Sequence, residues 1–113
     1  MKVDTIIFDI LKKEYNLPDV PYDSTPIFDI INFLEQKHKL IVSAVKECIL
    51  DGDYPERWRC FVEVIPETPG APNRIIFHDA WSLDFSYEEV LINCLYYYFV
   101  DKGFIPLLGD INK

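Results

Sequence analysis

Two alternating segments around a proline-rich stretch constrain the fold of this chain more than any other feature. Hydrophobic and polar residues alternate from Trp58 to Ile65 and again from Arg74 to Asp79. Successive side chains of a strand point to opposite faces, so this period of two indicates strands. Three prolines and a glycine lie between them, in residues 66–72. The sequence therefore predicts an antiparallel hairpin that turns at Pro69-Gly70.

The centre of the turn sets which side chains share a face of the hairpin. With the turn at Pro69-Gly70, one face is apolar and is expected to lie against the core. The opposite face is mixed and is expected to contact water. The predicted core face holds Cys60, Val62, Val64, Ile75 and Phe77, and the other holds Arg59, Phe61, Glu63, Arg74, Ile76 and His78.

Three segments have the period of an amphipathic helix. The first runs from about Asp4 to Tyr15, with Ile6, Ile7, Ile10 and Leu11 on one face, and ends before a stretch with two prolines. The second is predicted from Thr25, as the N-cap, to Lys39. The third is predicted from Ser86 to Lys102, because Ser86 and Glu89 have capping-box spacing and Gly103 is a favourable stop.

The segment Leu40–Leu50 fits two structures. Apolar residues at positions 41, 45, 48 and 49 satisfy a helical period, but the run is rich in β-branched residues and precedes the turn signal Asp51-Gly52-Asp53. We interpret it as a strand. The prediction is one α+β domain, an αβββα core with a three-stranded antiparallel sheet packed by two helices. Residues 1–23 form an additional N-terminal helix and a proline-containing arm, and residues 24–113 form the domain.

Two local patterns carry a resemblance to known proteins. One is the string from Ile30 to His38 that leads into a strand, and the other is Phe85-Ser86-Tyr87-Glu88-Glu89-Val90-Leu91. From Ile27 to Lys102 the chain resembles small uncharacterised proteins of phages and phage-like mobile elements of gut bacteria. Phe33 and Val90 depart from that pattern, where the family has tryptophan and alanine. The resemblance implies a compact αβββα unit and a mobile-element origin, and it implies no catalytic residues.

Charge and composition exclude several classes of function. Eleven Lys and Arg against nineteen Asp and Glu give a net charge of -8, which opposes binding to nucleic-acid phosphates and to anionic membranes. The N-terminus has acidic residues within its apolar run, unlike a signal peptide, and no apolar run approaches the ~20 residues that span a bilayer. Three dispersed cysteines are typical of reduced thiols. We expect a cytoplasmic protein.

The reactive residue types do not form a recognisable site. Cys60, His78 and Asp79 come close in the hairpin, but the strand period places Cys60 and His78 on opposite faces. Asp51, Asp53 and Glu56 lack the spacing of a calcium loop, and a structural zinc needs about four suitably spaced ligands. We therefore expect no catalytic residue, cofactor or metal, and no enzymatic activity.

The last helix carries a second apolar stripe that one sheet cannot cover. It consists of Ile92, Tyr96 and Val100, with Tyr97 beside it. Aromatic-rich apolar patches are typical of interface cores, so this stripe predicts contact with a protein partner or a homo-oligomer. The alternative is that the N-terminal helix covers the stripe within the same chain.

A second class of function follows from the element order. The αβββα order resembles the double-stranded RNA-binding fold, which would make the chain a nucleic-acid-binding domain. That fold uses lysines at the start of its last helix, whereas this chain has Tyr87-Glu88-Glu89 there. An acidic surface that mimics nucleic acid is a variant of the same alternative.

Overall fold

The computed structural model describes residues 5–21, 24–47 and 56–105. Helix α1 spans Thr5–Tyr15 and helix α2 spans Ile27–His38. Strands β1 (Leu40–Glu47), β2 (Arg57–Val64) and β3 (Arg74–Ser82) follow, and helix α3 (Tyr87–Asp101) closes the order. This confirms the predicted α+β class, with an αβββα core and an additional N-terminal helix.

The three strands form one antiparallel sheet in the order β1-β2-β3. Leu40 pairs with Val64 and Ala44 pairs with Cys60, so the ambiguous segment is a strand from Leu40 to Glu47. Residues 48–50 of that prediction lie outside the described residues. Helix α3 contacts all three strands, and α2 contacts β1 and α3. Because Val42, Cys60 and Val62 are buried against them, both helices pack on the same face of the sheet.

The hairpin turns where the sequence predicts. An extra residue in β3, however, changes which of its side chains face the core. The Ala71 N–H donates to the Thr68 carbonyl at 3.2 Å, and Gly70 takes a φ of 85°, a conformation that glycine adopts without strain. A β-bulge then shifts the register, since Val62 pairs with Phe77 while Glu63 pairs with Ile75. The prediction that Ile75 faces the core is wrong, because the bulge leaves Ile75 on the opposite face, 50% exposed. Ile76 packs against the core instead.

The start of α2 differs from the predicted start. Pro26 has extended backbone angles, φ -71° and ψ 153°, and forms the N-cap without a side-chain cap. Thr25 is therefore not the cap, and its hydroxyl donates to the Pro21 carbonyl. The helix ends as predicted, because Lys39 takes a left-handed φ of 57° and its N–H bonds to the Leu34 carbonyl.

Both ends of α3 confirm the signals in the sequence. The Glu89 N–H donates to Ser86 Oγ at 3.2 Å, and the Ser86 N–H donates to Glu89 Oε1 at 2.9 Å. At the other end, the N–H groups of Gly103 and Phe104 bond back to the carbonyls of Val100 and Phe99, the pattern of a Schellman motif. The ring centroids of Phe104 and Phe99 lie 6.0 Å apart, which is the hydrophobic contact that accompanies this motif.

Helix α1 belongs to the same core as the αβββα unit. Its buried residues are Ile7, Phe8, Ile10, Leu11 and Tyr15. Ile6 is 47% exposed, so its predicted place on the buried face is wrong; the buried arc is centred farther round the helix, towards Phe8. His38 Nε2 donates to the Tyr15 carbonyl at 2.6 Å and ties the end of α1 to the end of α2.

The apolar tail after α3 packs against the domain as far as the structure describes it. Phe104 lies beside Tyr15, with ring centroids 6.3 Å apart, and Ile105 is buried. Residues 106–108 of the tail lie outside the described residues. None of the helices in the described part of the chain has the length and apolarity that crossing a lipid bilayer requires.

Candidate functional site

The predicted interface stripe on α3 is half-buried. Ile92, Tyr96 and Val100 recur every four residues on one side of the helix, and all three pack in part against the core. Tyr15 of α1 stacks on Phe99, which borders this stripe, with ring centroids 5.7 Å apart. Helix α1 therefore packs beside the stripe, at Phe99.

Tyr97 projects from a different side of α3. Its ring lies 5.3 Å from that of Trp81 on β3 and 5.1 Å from that of Tyr96, and Tyr97 remains 37% exposed. Trp81 also meets Phe85 edge-on at 5.6 Å. The four predicted interface residues thus belong to two adjoining surfaces, a half-buried stripe and an aromatic cluster where α3 lies on β3.

A mixed surface with half-exposed apolar residues lies on the face of the sheet away from α2 and α3. We call it the open face, since no helix in the described ranges lies on it. Val45 is 52% exposed there, about the same as Ile75 at 50%. Its side chains come from Ile41, Ser43, Val45 and Glu47 of β1, from Arg57, Arg59, Phe61 and Glu63 of β2, and from Ile75, His78, Ala80 and Ser82 of β3.

The centre of the open face combines an aromatic ring with a cation. The guanidinium carbon of Arg59 lies 5.8 Å from the ring centroid of Phe61, so the Arg59 side chain lies along the face. Arg59 Nε has almost no contact with solvent and no hydrogen-bond acceptor among the described residues. Of the six residues predicted to share the mixed face, Arg59, Phe61, Glu63 and His78 lie on it. The prediction is wrong for Arg74 and Ile76, because the bulge pairs Arg74 with Val64 and Ile76 packs against the core.

An ion pair lies at one end of the open face. Arg57 Nε donates to Glu47 Oε2 at 2.7 Å across the β1–β2 pair. This hydrogen bond, with the nearby positive charges of Arg57 and Arg59, lowers the pKa of the Glu47 carboxyl below its ordinary value.

The hairpin residues with reactive groups do not assemble into a catalytic site. Cys60 pairs with Asp79, as predicted, while His78 pairs with Phe61 and lies on the open face. Cys60 is buried on the core face, so its thiol and the His78 ring are on opposite sides of the sheet. Asp79 Oδ1 accepts a hydrogen bond from the Ala80 N–H at 2.8 Å, which gives that carboxylate a local structural role.

Two thiols meet between β2 and α3. The neighbouring Cys60 thiol and burial together raise the pKa of the Cys94 thiol. Both cysteines are free thiols and fully buried. They behave as packing residues, as the sequence predicted. Cys48 lies outside the described residues.

A cleft of about 530 Å³ lies where the C-terminal ends of all three helices meet the sheet. Its inner polar groups already have partners. His38 Nε2 donates to the Tyr15 carbonyl at 2.6 Å. Burial and the neighbouring Tyr98 hydroxyl raise the pKa of Tyr15, and burial raises the pKa of Tyr98. The bond from His38 attaches α1 to the domain, which gives this part of the cleft a structural role.

No group of His, Cys, Asp or Glu within the described ranges could hold a metal ion. Asp51 and Asp53, considered above for a cation, lie outside those ranges. Comparison of the chain with protein-family models, with curated proteins and with solved structures finds no match.

The open face is a candidate site that was not predicted from the sequence. The signal was present in β1, where Ile41 and Val45 alternate with the buried Leu40, Val42 and Ala44. A strand that is apolar on both sides predicts two covered faces. The structure shows a cover on only one of them, as far as the described ranges extend.

Proposed function

We propose that this protein is a non-catalytic, cytoplasmic protein-interaction module that binds its partner through the open face. One observation carries the proposal: α2 and α3 lie on the same side of a three-stranded sheet, so half-exposed apolar residues of β1 and β3 remain on the other side. Antiparallel sheets commonly leave one face to solvent, but that face is then mostly polar. Here Ile41, Val45, Phe61 and Ile75 interrupt the polar residues.

The predicted stripe on α3 is the competing surface within this proposal. Its residues Ile92, Tyr96 and Val100 already pack in part against the core, which leaves the adjoining Tyr97 as its most exposed aromatic residue. The open face is therefore the better candidate. The mobile-element origin implied by the resemblance is part of the same proposal and fits a small module without chemistry of its own.

Two variants separate the two surfaces. Val45→Lys combined with Ile75→Lys adds two positive charges to the open face, and Tyr97→Lys adds one positive charge to α3. All three positions are more than a third exposed in the folded chain, so we expect each variant to fold, which circular dichroism checks.

Light scattering over a range of concentrations measures self-association, and immobilised protein tests capture of a partner from a lysate of the source cell. We expect the wild type and Tyr97→Lys to self-associate or to capture a partner. The variant with both Val45→Lys and Ile75→Lys is expected to do neither. If the double variant associates and captures like the wild type, the open face is not the binding surface. A wild type that neither associates nor captures anything contradicts the proposal.

A further inference from the structure

We infer that the partner of the open face is a second copy of this chain, related by a two-fold axis that passes over Phe61 of β2. The axis lies between the two sheets and perpendicular to the strands, so that β2 of one copy runs antiparallel over β2 of the other. This inference rests on the proposed function. It names the occupant of the face and its orientation.

The central strand is self-complementary under this rotation. Arg59, Phe61 and Glu63 occupy successive positions of β2 on the open face. A two-fold axis at Phe61 stacks the two Phe61 rings and brings Arg59 of each copy opposite Glu63 of the other. The interface is isologous, so the ion pair forms twice.

The outer strands match under the same rotation. On β1, Ile41 and Val45 lie at equal distances on either side of Ser43, which pairs with Phe61. The axis therefore places Ile41 of one copy over Val45 of the other.

On β3, the residues beside Glu63 and Arg59 are Ile75 and Ala80, and these two also come opposite each other. The β-bulge contributes to this match, because it brings Ile75 to the open face in register with Glu63.

Charge disfavours a two-fold axis that lies in the same plane but runs parallel to the strands. That axis would leave the strand direction unchanged and bring Arg59 over Arg59 and Glu63 over Glu63. Opposed like charges at an interface are unfavourable. Of these two axes, the perpendicular one pairs unlike charges on this face.

Charge also favours this face over the rest of the molecule as the contact between two copies. Two cations, Arg57 and Arg59, balance two anions, Glu47 and Glu63, so the open face has no formal net charge. The whole chain carries -8, and two copies repel each other elsewhere. The open face is therefore a surface at which two such anionic chains can approach.

The guanidinium of Arg59 is placed where this contact would form. Its carbon lies 5.8 Å from the ring centroid of Phe61, on the open face. The carboxylate of Glu63 from the second copy arrives on the same side of the sheet. A charge-assisted hydrogen bond from the terminal guanidinium nitrogens of Arg59 to that carboxylate would strengthen the contact.

The small size of the face limits the strength of the dimer. Three strands with about seven paired residues cover roughly 350 Å² of sheet plane. Stable interfaces bury about 800 Å² from each partner, so we expect a weak dimer with a Kd in the micromolar range. Its population therefore depends on concentration.

Charge reversal tests both the occupant and the orientation. Arg59→Glu places two acidic residues opposite two others in the homodimer, and Glu63→Arg does the same with basic residues. Each variant alone is expected to be a monomer by analytical ultracentrifugation at concentrations where the wild type is dimeric. Mixed together, the two variants are expected to form a heterodimer. One chain then carries Glu at positions 59 and 63 and the other carries Arg at both, so each carboxylate lies opposite a guanidinium. The variant that carries both Arg59→Glu and Glu63→Arg is expected to form the homodimer again.

Two controls change the same charges elsewhere. Lys37→Glu on α2 and Glu67→Arg in the hairpin loop lie at exposed positions away from the open face. They are expected to leave the dimer Kd within about threefold of the wild type. If a reversed variant fails to fold, Arg59→Gln and Glu63→Gln are used instead, and each is expected to weaken the dimer about tenfold.

The outcomes separate this inference from the proposed function. A wild type that stays monomeric at about 500 µM, far above the expected Kd, overturns the inference. Capture of another protein through the open face would then still support the proposed function. A dimer insensitive to charge reversal, or one lost in Tyr97→Lys, also overturns it and assigns self-association to another surface.

Discussion

At the scale of single residues, the thiol pair gives the most direct test of the core. Cys60 and Cys94 are fully buried, and a raised pKa keeps the Cys94 thiol protonated. Since the thiolate is the reactive form, labelling requires the protein to open. In a Cys48→Ser background, we expect both thiols of the folded protein to react more than about 100-fold more slowly than in denaturant.

Mass spectrometry of the labelled protein distinguishes the two sites, and the denatured sample serves as the control for intrinsic reactivity. Rapid labelling of Cys60 under native conditions would place it on the open face beside His78. The face assignment of β2 would then be reversed.

The ion pair between Arg57 and Glu47 predicts a pH dependence. The hydrogen bond from Arg57 lowers the pKa of Glu47 in the folded protein, so the ionised carboxylate stabilises the fold at neutral pH. This contribution is present above the pKa of Glu47 in the unfolded chain and is lost as the pH falls through its lower pKa in the folded chain. We expect Glu47→Gln to be less stable than the wild type at pH 7 and equal to it in strong acid.

Urea denaturation across the acid range measures this convergence. Glu67→Gln in the hairpin loop is the control for removal of one negative charge. A difference between wild type and Glu47→Gln that stays constant with pH would contradict the assignment.

At the scale of secondary structure, the helix ends were predictable wherever local side-chain chemistry sets them. Ser86, Glu89 and Gly103 mark both ends of α3 because their hydrogen bonds and φ angle involve neighbours in the sequence. The start of α2 was misassigned by one residue. A threonine before a proline is compatible with an N-cap, but here the Thr25 hydroxyl bonds to Pro21 in the preceding segment.

The capping box of α3 gives a prediction for a single element. Ser86→Ala removes the acceptor of the Glu89 N–H, and we expect it to lower the free energy of unfolding by about 1 kcal/mol. Urea denaturation measures the change. Ser24→Ala, an exposed serine before α2, is the control and is expected to change the stability by less than about 0.5 kcal/mol. Equal stability of the two variants would show that the box contributes nothing.

The faces of β3 could not be predicted from alternation alone. Ile75, Ile76 and Phe77 are all apolar, so the sequence does not show that an extra residue is inserted among them. Tertiary packing decides the register: it places the partly buried Phe77 beside Tyr98, with 5.8 Å between ring centroids, and brings Ile76 to the core. A one-residue change of register exchanges the faces, and this is why Ile75 was misplaced.

At the scale of the whole molecule, the candidate surfaces depend on how the elements are layered. The sequence identified Ile92, Tyr96, Tyr97 and Val100 as apolar residues in excess of what one sheet covers. It could not show that α1 lies against the neighbouring Phe99, or that α2 and α3 share one side of the sheet. Periodicity reports which side chains share a face, but the layers that cover those faces arise from long-range packing.

The distribution of charge leads to a last prediction, that the protein does not bind duplex RNA or DNA at physiological salt. Its αβββα order resembles that of a double-stranded RNA-binding domain, yet Glu88 and Glu89 occupy the first turn of α3, where such a domain presents lysines. Eleven basic residues against nineteen acidic ones allow little release of counterions from a phosphate backbone.

Fluorescence polarisation with a labelled duplex, beside a double-stranded RNA-binding domain as positive control, tests this prediction. We expect no saturable change up to about 100 µM protein, a concentration at which even non-specific binders with a Kd of about 10⁻⁴–10⁻⁶ M respond. A micromolar affinity that weakens with added salt would show that basic side chains gather on one surface despite the net charge. The nucleic-acid-binding alternative would then replace the protein-interaction function proposed above.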